Sequence, residues 1–203
     1  MLELNTTFVQ EVADLRKKVI WDGKHSKKFR SIPKKYLEAQ PDKYGDLENL
    51  DNSGAINELD AMILYHLVRH FKPENIFEIG TWFGTSAQVM LLAQKSSIYT
   101  CDKNNYFVAQ SQFIHFMNTE SWNAIKKFGR IGYPIDLIFT DGALYGNDPK
   151  RLSKLCRRKI FITHDYVGKE KGYRNVRKMK KLWPGAVFIP PVEGSTIAVL
   201  YEE

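Results

Sequence analysis

The sequence has few cysteines and no long apolar runs, which argues against a disulfide-rich, a zinc-binding or a membrane-spanning protein. Cys101 and Cys156 are its only cysteines. They are too few for a disulfide framework or a cysteine-rich zinc site, so we expect both to pack in the core. The apolar runs fall far short of the roughly 20 residues that cross a membrane, and no basic-then-apolar leader is present. We therefore expect a soluble, cytoplasmic protein with no membrane partner.

Acidic residues are scarce in two stretches, so the net charge of +7 is unevenly distributed. Residues 150–181 contain 13 Lys and Arg against only Asp165 and Glu170, and residues 16–35 contain nine against only Asp22. Such segments attract phosphate-bearing or other anionic partners, including nucleic acids. The alternative is that they form ordinary solvated helix faces.

The composition predicts one folded domain with an appended segment. With 43% hydrophobic and 13% aromatic residues, the 203-residue chain can bury one substantial core. Residues 53–203 show regular apolar patterns, whereas residues 1–52 mix cations, aromatics and prolines after one short helical pattern. We predict that residues 1–52 form a cap. The cap contains four aromatic side chains, which either cover a ligand-binding site as a lid or pack against the edge of the core: Trp21, Phe29, Tyr36 and Tyr44.

Residues 76–87 predict a strand, a glycine turn and a helix in succession. The apolar start of this stretch favours a buried strand that ends near Gly80. Gly80 and Gly84 permit backbone angles that other residues avoid, and they let a ligand approach the main chain. Glu78 would lie at the carboxyl end of the strand, where open α/β sheets bind ligands. The alternative is an ordinary strand-turn-helix that binds nothing.

A second strand that ends in an acid favours the ligand-binding interpretation. Thr85 or Ser86 can cap the helix after the turn. Residues 98–102 then form a short strand whose last residue, Asp102, follows the first strand by about twenty residues, as a ribose-binding carboxylate does. Because three residues separate the two glycines, the Gly-x-Gly-x-x-Gly loop is missing and a nicotinamide cofactor is not expected.

A third strand is predicted over residues 113–117, and polar residues follow its carboxyl end. Among them, Thr119 and Glu120 would lie at the ligand edge of the sheet. They either contact a ligand there or serve as an ordinary capping sequence for a helix at 122–128.

Two further buried-strand patterns, over residues 135–142 and 160–166, contain Asp141 and the pair His164-Asp165 near their carboxyl ends. The carboxyl ends of neighbouring parallel strands meet at one edge, so we expect these side chains to lie together. Two carboxylates beside a histidine can bind a divalent cation or form a general-base pair. The alternative is a purely ionic role with nearby Lys and Arg.

The remaining patterns complete an α/β chain. Helices are predicted over residues 53–70 and 148–157, and two β-rich runs around a Pro-Pro and Glu-Gly turn predict a hairpin over residues 185–201. His66 and His70 have the spacing of metal ligands, but no suitable Glu or Cys is near, so we expect surface or packing roles.

Taken together, the motifs over residues 53–203 resemble the class I S-adenosylmethionine-dependent methyltransferases. The resemblance implies a Rossmann-like sandwich, with a mostly parallel seven-stranded sheet and a C-terminal antiparallel hairpin. It implies S-adenosylmethionine as cofactor, with the methionine part on the glycine turn and both ribose hydroxyls on Asp102. The matching positions for cofactor binding are Glu78, Gly80, Thr81, Gly84, Ser86, Asp102, Thr119 and Glu120.

The segments at 141–145 and 164–166 resemble those of the metal-dependent O-methyltransferases that act on macrolide sugars, and of related cephalosporin-pathway proteins. The resemblance implies that Asp141 and Asp165 hold magnesium or manganese, with His164 as third ligand or as base. His164 stands where that family has an acid, and a hard cation prefers oxygen ligands. Without a metal, His164 or Asp141 would be the catalytic base.

The resemblance implies an enzyme that methylates a small hydroxylated acceptor, such as a sugar or an anionic molecule. A nucleic-acid methyltransferase would explain the basic segments, but no Asn-Pro-Pro-Tyr motif supports it. A binding protein without activity is the other alternative, since a fold does not fix a function. The sequence leaves the oligomeric state open, with a homodimer as one option.

Overall fold

The structure is a computed structural model that describes residues 56, 58–82, 84–105, 111–168 and 170–202. The predicted cap at 1–52, with its aromatic side chains and its basic stretch at 16–35, lies outside these residues.

The described residues contain one sheet of seven strands. In chain order the strands are β1 (Asn75–Ile79), β2 (Ser97–Asp102), β3 (Ile114–Asn118), β4 (Ile135–Thr140), β5 (Cys156–Thr163), β6 (Val187–Ile189) and β7 (Ala198–Tyr201). Across the sheet they follow the order β3-β2-β1-β4-β5-β7-β6. The strands from β1 to β5 pair in parallel, whereas β7 is antiparallel to both β5 and β6. This arrangement confirms the predicted fold class, including the hairpin.

In the described part of the chain, one helix precedes β1 and the others lie in connections between strands. In the described chain the helices are α1 (Glu58–Phe71), α2 (Thr85–Ala93), α3 (Ser121–Ile131), α4 (Asp148–Leu155) and α5 (Lys171–Leu182). None of the helices among these residues has the length and apolar character needed to cross a membrane.

The sheet buries a separate apolar cluster on each face, because successive strand residues point to opposite sides. In β1, Ile76 belongs to a cluster with residues of α1 and α2. Phe77 belongs to the cluster on the other face, which includes Phe128 of α3, Leu152 of α4 and Trp183 after α5. All six residues of β4 are buried, as expected for a central strand covered on both faces. The described chain is therefore a three-layered sandwich.

The start of β5 differs from the prediction. β5 begins at Cys156, directly after α4 and four residues earlier than the predicted strand, so the predicted end of the helix was wrong. The basic residues there bind groups at the amino edge of the sheet. Arg157 Nε donates to Oδ1 of the buried Asp136 at 2.5 Å, and Arg158 Nη1 donates to Phe71 O at 2.7 Å. Part of the predicted basic segment therefore supports the fold.

Candidate active site

The glycine turn after β1 packs against the turn after β4. Gly80 has a φ of 93° and Gly84 a φ of 87°, both in the left-handed region that favours glycine. A Cβ atom at Gly80 would lie 2.7 Å from Gly142 N and 2.9 Å from the carbonyl carbon of Asp141. The close approach of the two turns therefore requires glycine at position 80.

A cavity of about 520 Å³ lies at the carboxyl ends of β1, β2 and β4. The strand order reverses between β1 and β4, and open α/β sheets bind ligands at this point. The volume is in the range of small-molecule sites. The predicted site residues that line the cavity are Gly80, Asp102, Thr119, Glu120 and Asp141. Lining residues that were not predicted individually as site residues include Trp82, Tyr145 and Lys171.

Asp102 is held at the end of β2 by main-chain hydrogen bonds. Its Oδ2 accepts a hydrogen bond from Trp82 N at 3.0 Å, and its Oδ1 accepts one from Asn104 N at 2.9 Å. A carboxylate has about four acceptor sites. Asp102 therefore keeps acceptor capacity for a ligand while its orientation is fixed.

Glu78 is not among the residues that line the cavity, although the sequence predicted it as a ligand contact. Its side chain is completely buried, and Ser86 Oγ donates to its Oε1. Oε2 accepts no hydrogen bond from the described residues. Burial raises the pKa of Glu78 to about 7, although the hydroxyls of Ser86 and Thr100 oppose the shift.

The other predicted residues of the turn also lie behind the cavity wall. Thr81 is buried, with its Oγ1 2.5 Å from Thr100 Oγ1. Gly84, and not Thr85 or Ser86, is the N-cap residue of α2, and no side chain caps the helix. Instead, the Ser86 hydroxyl donates a hydrogen bond to the buried Glu78 carboxylate of β1. These residues therefore support the turn from the side that faces away from the cavity.

Thr119 and Glu120 lie at the cavity side of the β3–α3 connection. Thr119 N donates to Asp102 O at 2.9 Å, which joins this connection to the end of β2. Glu120 is the N-cap residue of α3, but its side chain makes no capping hydrogen bond. The capping alternative therefore does not account for the Glu120 side chain, which remains available to a ligand.

His164 lies among three carboxylates at the end of β5. Its Nδ1 is 3.0 Å from Asp141 Oδ1 and 3.2 Å from Asp165 Oδ1, and its Nε2 is 3.1 Å from Asp60 Oδ2. Burial alone would lower the pKa of His164, but the hydrogen bonds to Asp141 and Asp60 raise it to about 10. Both ring nitrogens of an imidazolium are donors. The role of base or metal ligand that the sequence predicted needs a ring nitrogen without a proton.

Asp60 on α1 is a member of this cluster that the sequence did not reveal. Its buried carboxylate accepts hydrogen bonds from Ser195 Oγ at 2.5 Å, from Thr196 N at 3.0 Å and from Thr196 Oγ1 at 2.9 Å. Burial would raise the pKa of Asp60, but its hydrogen bonds, above all with His164, lower it. The available signal was a charge on the apolar face of α1, one turn before Leu64.

The Lys171 ammonium group lies between the two strand-end aspartates. Its Nζ is 2.9 Å from Asp141 Oδ1 and 2.9 Å from Asp165 Oδ2. Burial would lower the pKa of Lys171, but the two carboxylates raise it, so the amine stays charged. The sequence indicated this residue only as part of a basic segment.

The donor types of the predicted metal site are present, but the arrangement does not fit a divalent ion. Asp141, His164 and Asp165 each offer a ligand atom, and these atoms lie within 4.8 Å of one another. Both carboxylates are already paired with the Lys171 ammonium and with the His164 ring. A magnesium or manganese ion would have to displace the first cation and deprotonate the second.

A separate basic surface lies on α5. Its four cations line a hollow of about 210 Å³: Arg174, Arg177, Lys178 and Lys181. Lys178 Nζ also donates to Leu144 O, so one of the four is partly engaged by the protein itself. The others are exposed to solvent.

No protein family model and no curated protein matches this chain, but solved structures do. The O-methyltransferase TomG from Streptomyces achromogenes, involved in tomaymycin synthesis and solved in complex with SAM, is 18% identical, with a TM-score of 0.57 over 84% of this chain and 96% of its own. An O-methyltransferase from Bacillus cereus in complex with SAH is 16% identical, with a TM-score of 0.60 over 100% of both chains. Cofactor-bound Rv0187 from MTB is 14% identical, with a TM-score of 0.63 over 93% of this chain and 94% of its own. The chain therefore has the class I methyltransferase fold that its sequence predicted.

Proposed function

We propose that the protein transfers the methyl group of S-adenosylmethionine to a hydroxyl group of a small acceptor. The observation that carries this proposal is Asp102, whose carboxylate ends β2, is oriented by two main-chain amides and lines the 520 Å³ cavity. Two of the similar structures contain SAM or SAH, which supports the same cofactor here.

The cofactor would extend from Asp102 across the glycine turn. The remaining acceptor sites of the carboxylate suit the two ribose hydroxyls. Gly80 lines the cavity, so its main chain would face the methionine part, and Thr119 and Glu120 offer polar groups to the adenine. Glu78 would not contact the cofactor but would help to hold the glycine turn in position from behind the cavity wall.

Methyl transfer requires the acceptor oxygen to lie in line with the methyl carbon and the sulfur. The C–O bond forms while the C–S bond breaks with its electron pair on sulfur, and the hydroxyl proton must leave. Asp141 lines the cavity at the end of β4, which supports its carboxylate as the group that accepts that proton. His164 hydrogen-bonds Asp141 at 3.0 Å and acts as a positioning residue.

A nucleic-acid acceptor is the second candidate, and the basic hollow on α5 is the observation that favours it. A small anionic acceptor would be attracted by the same charges. A protein that binds the cofactor without transferring methyl is the third reading. Mass spectrometry of a panel of hydroxylated acceptors and an oligonucleotide, each incubated with S-adenosylmethionine, separates these outcomes by which molecule gains a methyl group.

Cofactor binding is tested by titration calorimetry with S-adenosylmethionine and S-adenosylhomocysteine. We expect Asp102→Ala to weaken binding by about 2 kcal/mol, or roughly 30-fold in Kd, because hydrogen bonds to a charged group are lost. Glu74→Ala is the control, since this acid is exposed at the opposite edge of the sheet. Equal affinity in wild type and Asp102→Ala would refute the ribose assignment. Absence of binding in wild type would refute the proposed function.

A further inference from the structure

The acidic cluster beside the cavity has its own cations. Lys171 Nζ lies at the same distance, 2.9 Å, from one oxygen of Asp141 and one oxygen of Asp165. These two carboxylates end neighbouring parallel strands, so a cation between them also faces the ligand edge of the sheet. Both Asp141 and Lys171 line the cavity. The ammonium group therefore occupies the place where two strand-end carboxylates would hold a metal ion.

The backbone fixes this position of Lys171. α5 begins at Lys171 and continues through Gly172, where a Cβ atom would lie 2.3 Å from His164 O and 2.7 Å from the carbonyl carbon of Asp165. The first turn of α5 thus packs directly on the turn that carries Asp165. Asp165 itself has a φ of 56°, in the left-handed region that non-glycine residues rarely adopt. Only glycine after Lys171 permits this contact.

An ammonium group in this place can serve an acceptor hydroxyl. It has three hydrogen-bond donors, and two of them are directed to Asp141 and Asp165. The third is left for an oxygen in the cavity. A fixed positive charge beside that oxygen stabilises the negative charge that develops as the hydroxyl proton leaves.

We propose that Lys171 takes the place of a divalent metal ion in this site, so that the acceptor oxygen is bound by an ammonium group and the wild-type protein takes up no metal there. The acceptor part of this proposal rests on the proposed function, whereas the exclusion of metal does not. In the reaction, the hydroxyl proton passes to Asp141, the oxygen forms its bond to the methyl carbon, and the C–S electron pair stays on sulfur. Lys171 remains protonated throughout.

The exclusion of metal is tested with manganese alone, by titration calorimetry and by the paramagnetic signal of free Mn²⁺. Lys171→Met keeps the length of the side chain and removes its charge, so Asp141 and Asp165 become available as oxygen ligands. We expect no specific Mn²⁺ site in the wild type, and in Lys171→Met a specific site that binds Mn²⁺ at least roughly tenfold more tightly than the wild type binds it non-specifically. The site should disappear in Lys171→Met/Asp141→Asn. Lys154→Met, an exposed lysine at the end of α4, is the matched control and should behave as the wild type.

Two results would overturn the proposal. One is a Mn²⁺ site in the wild type that is lost in Asp141→Asn, and the other is a Lys171→Met variant that gains no site. Titration of the same variants with S-adenosylmethionine reports on the proposed function separately, because Asp102 and the glycine turn are unchanged. Once an acceptor is known, wild-type turnover should be insensitive to a chelator, while Lys171→Met should lose turnover and recover part of it with Mn²⁺. Loss of wild-type turnover in the chelator would also contradict the proposal.

Discussion

Glu78 offers a sharp test of the electrostatics beneath the glycine turn. Its carboxyl group is fully buried, one oxygen accepts a hydrogen bond from Ser86, and the other accepts none from the described residues. A charged carboxylate is costly in such a place. Glu78→Gln keeps the size and shape of the side chain but removes its charge, so the variant resembles the protonated form of the wild type at every pH.

The size of the expected difference in stability follows from the pKa of Glu78, which burial raises from 4.5 to about 7. In the cofactor-free protein, the folded state keeps a proton that the unfolded state releases. The free energy of unfolding of the wild type therefore falls as the pH rises between these two values. The full difference is roughly 3 kcal/mol, from 1.36 kcal/mol per pKa unit. We expect Glu78→Gln to exceed the wild type in stability by up to this amount above about pH 8, and to match it below about pH 4.

Urea unfolding of the cofactor-free protein at a series of pH values measures this difference. Glu74→Gln is the control, because Glu74 has an exposed side chain and only a surface ion pair with Arg157 at 3.3 Å, which contributes little. A difference between Glu78→Gln and the wild type that stays constant with pH would refute the assigned pKa. A variant that is less stable than the wild type at high pH would refute the claim that the buried charge is costly.

Two further predictions concern the turn and the basic surface. Gly80→Ala should lower the free energy of unfolding by at least about 2 kcal/mol, because the new Cβ meets the Gly142 main chain at 2.7 Å and φ is positive; an unchanged urea midpoint would show that the two turns can separate freely. If the α5 hollow attracts anions, a generic oligonucleotide should be retained at low salt and released as salt rises, and Arg177→Ala/Lys181→Ala should release it at lower salt. No retention by the wild type at low salt would exclude the nucleic-acid alternative.

The strand pattern in the sequence predicted most of the strands and the edge that their ends share, whereas the full seven-stranded sheet was implied by the family resemblance. Apolar runs that end in Asp102, Asp141 and Asp165 are local signals, and parallel pairing brings such ends together without further information. The start of β5 could not be predicted in the same way, because Arg157 and Arg158 have the composition of a helix surface. Their partners, Asp136 and Phe71 O, are near only in the folded chain.

Two charged residues that complete the site could not be predicted from the sequence either, because their partners are also near only in the folded chain. Asp60 and Lys171 lie in helices whose sequence patterns indicate only amphipathic surfaces. Lys171 acquires its role from contacts with Asp141 and Asp165 at the ends of β4 and β5, and Asp60 acquires its role from contacts with His164 and with the loop before β7. Sequence spacing predicts which strand ends share an edge, but it does not predict which helix side chain reaches them.

The hydrogen bonds of Asp60 have a consequence for the order in which the chain folds during synthesis. Ser195 and Thr196, which supply three of its hydrogen bonds, follow it by 135 and 136 positions. When α1 leaves the ribosome, its apolar face therefore carries a carboxylate without these donors, and burying such a charge early is unfavourable. α1 can dock with this residue fully satisfied only after the loop before β7 has been made. We therefore expect the charge at position 60 to disfavour closure of this corner of the sandwich until the loop before β7 has been translated.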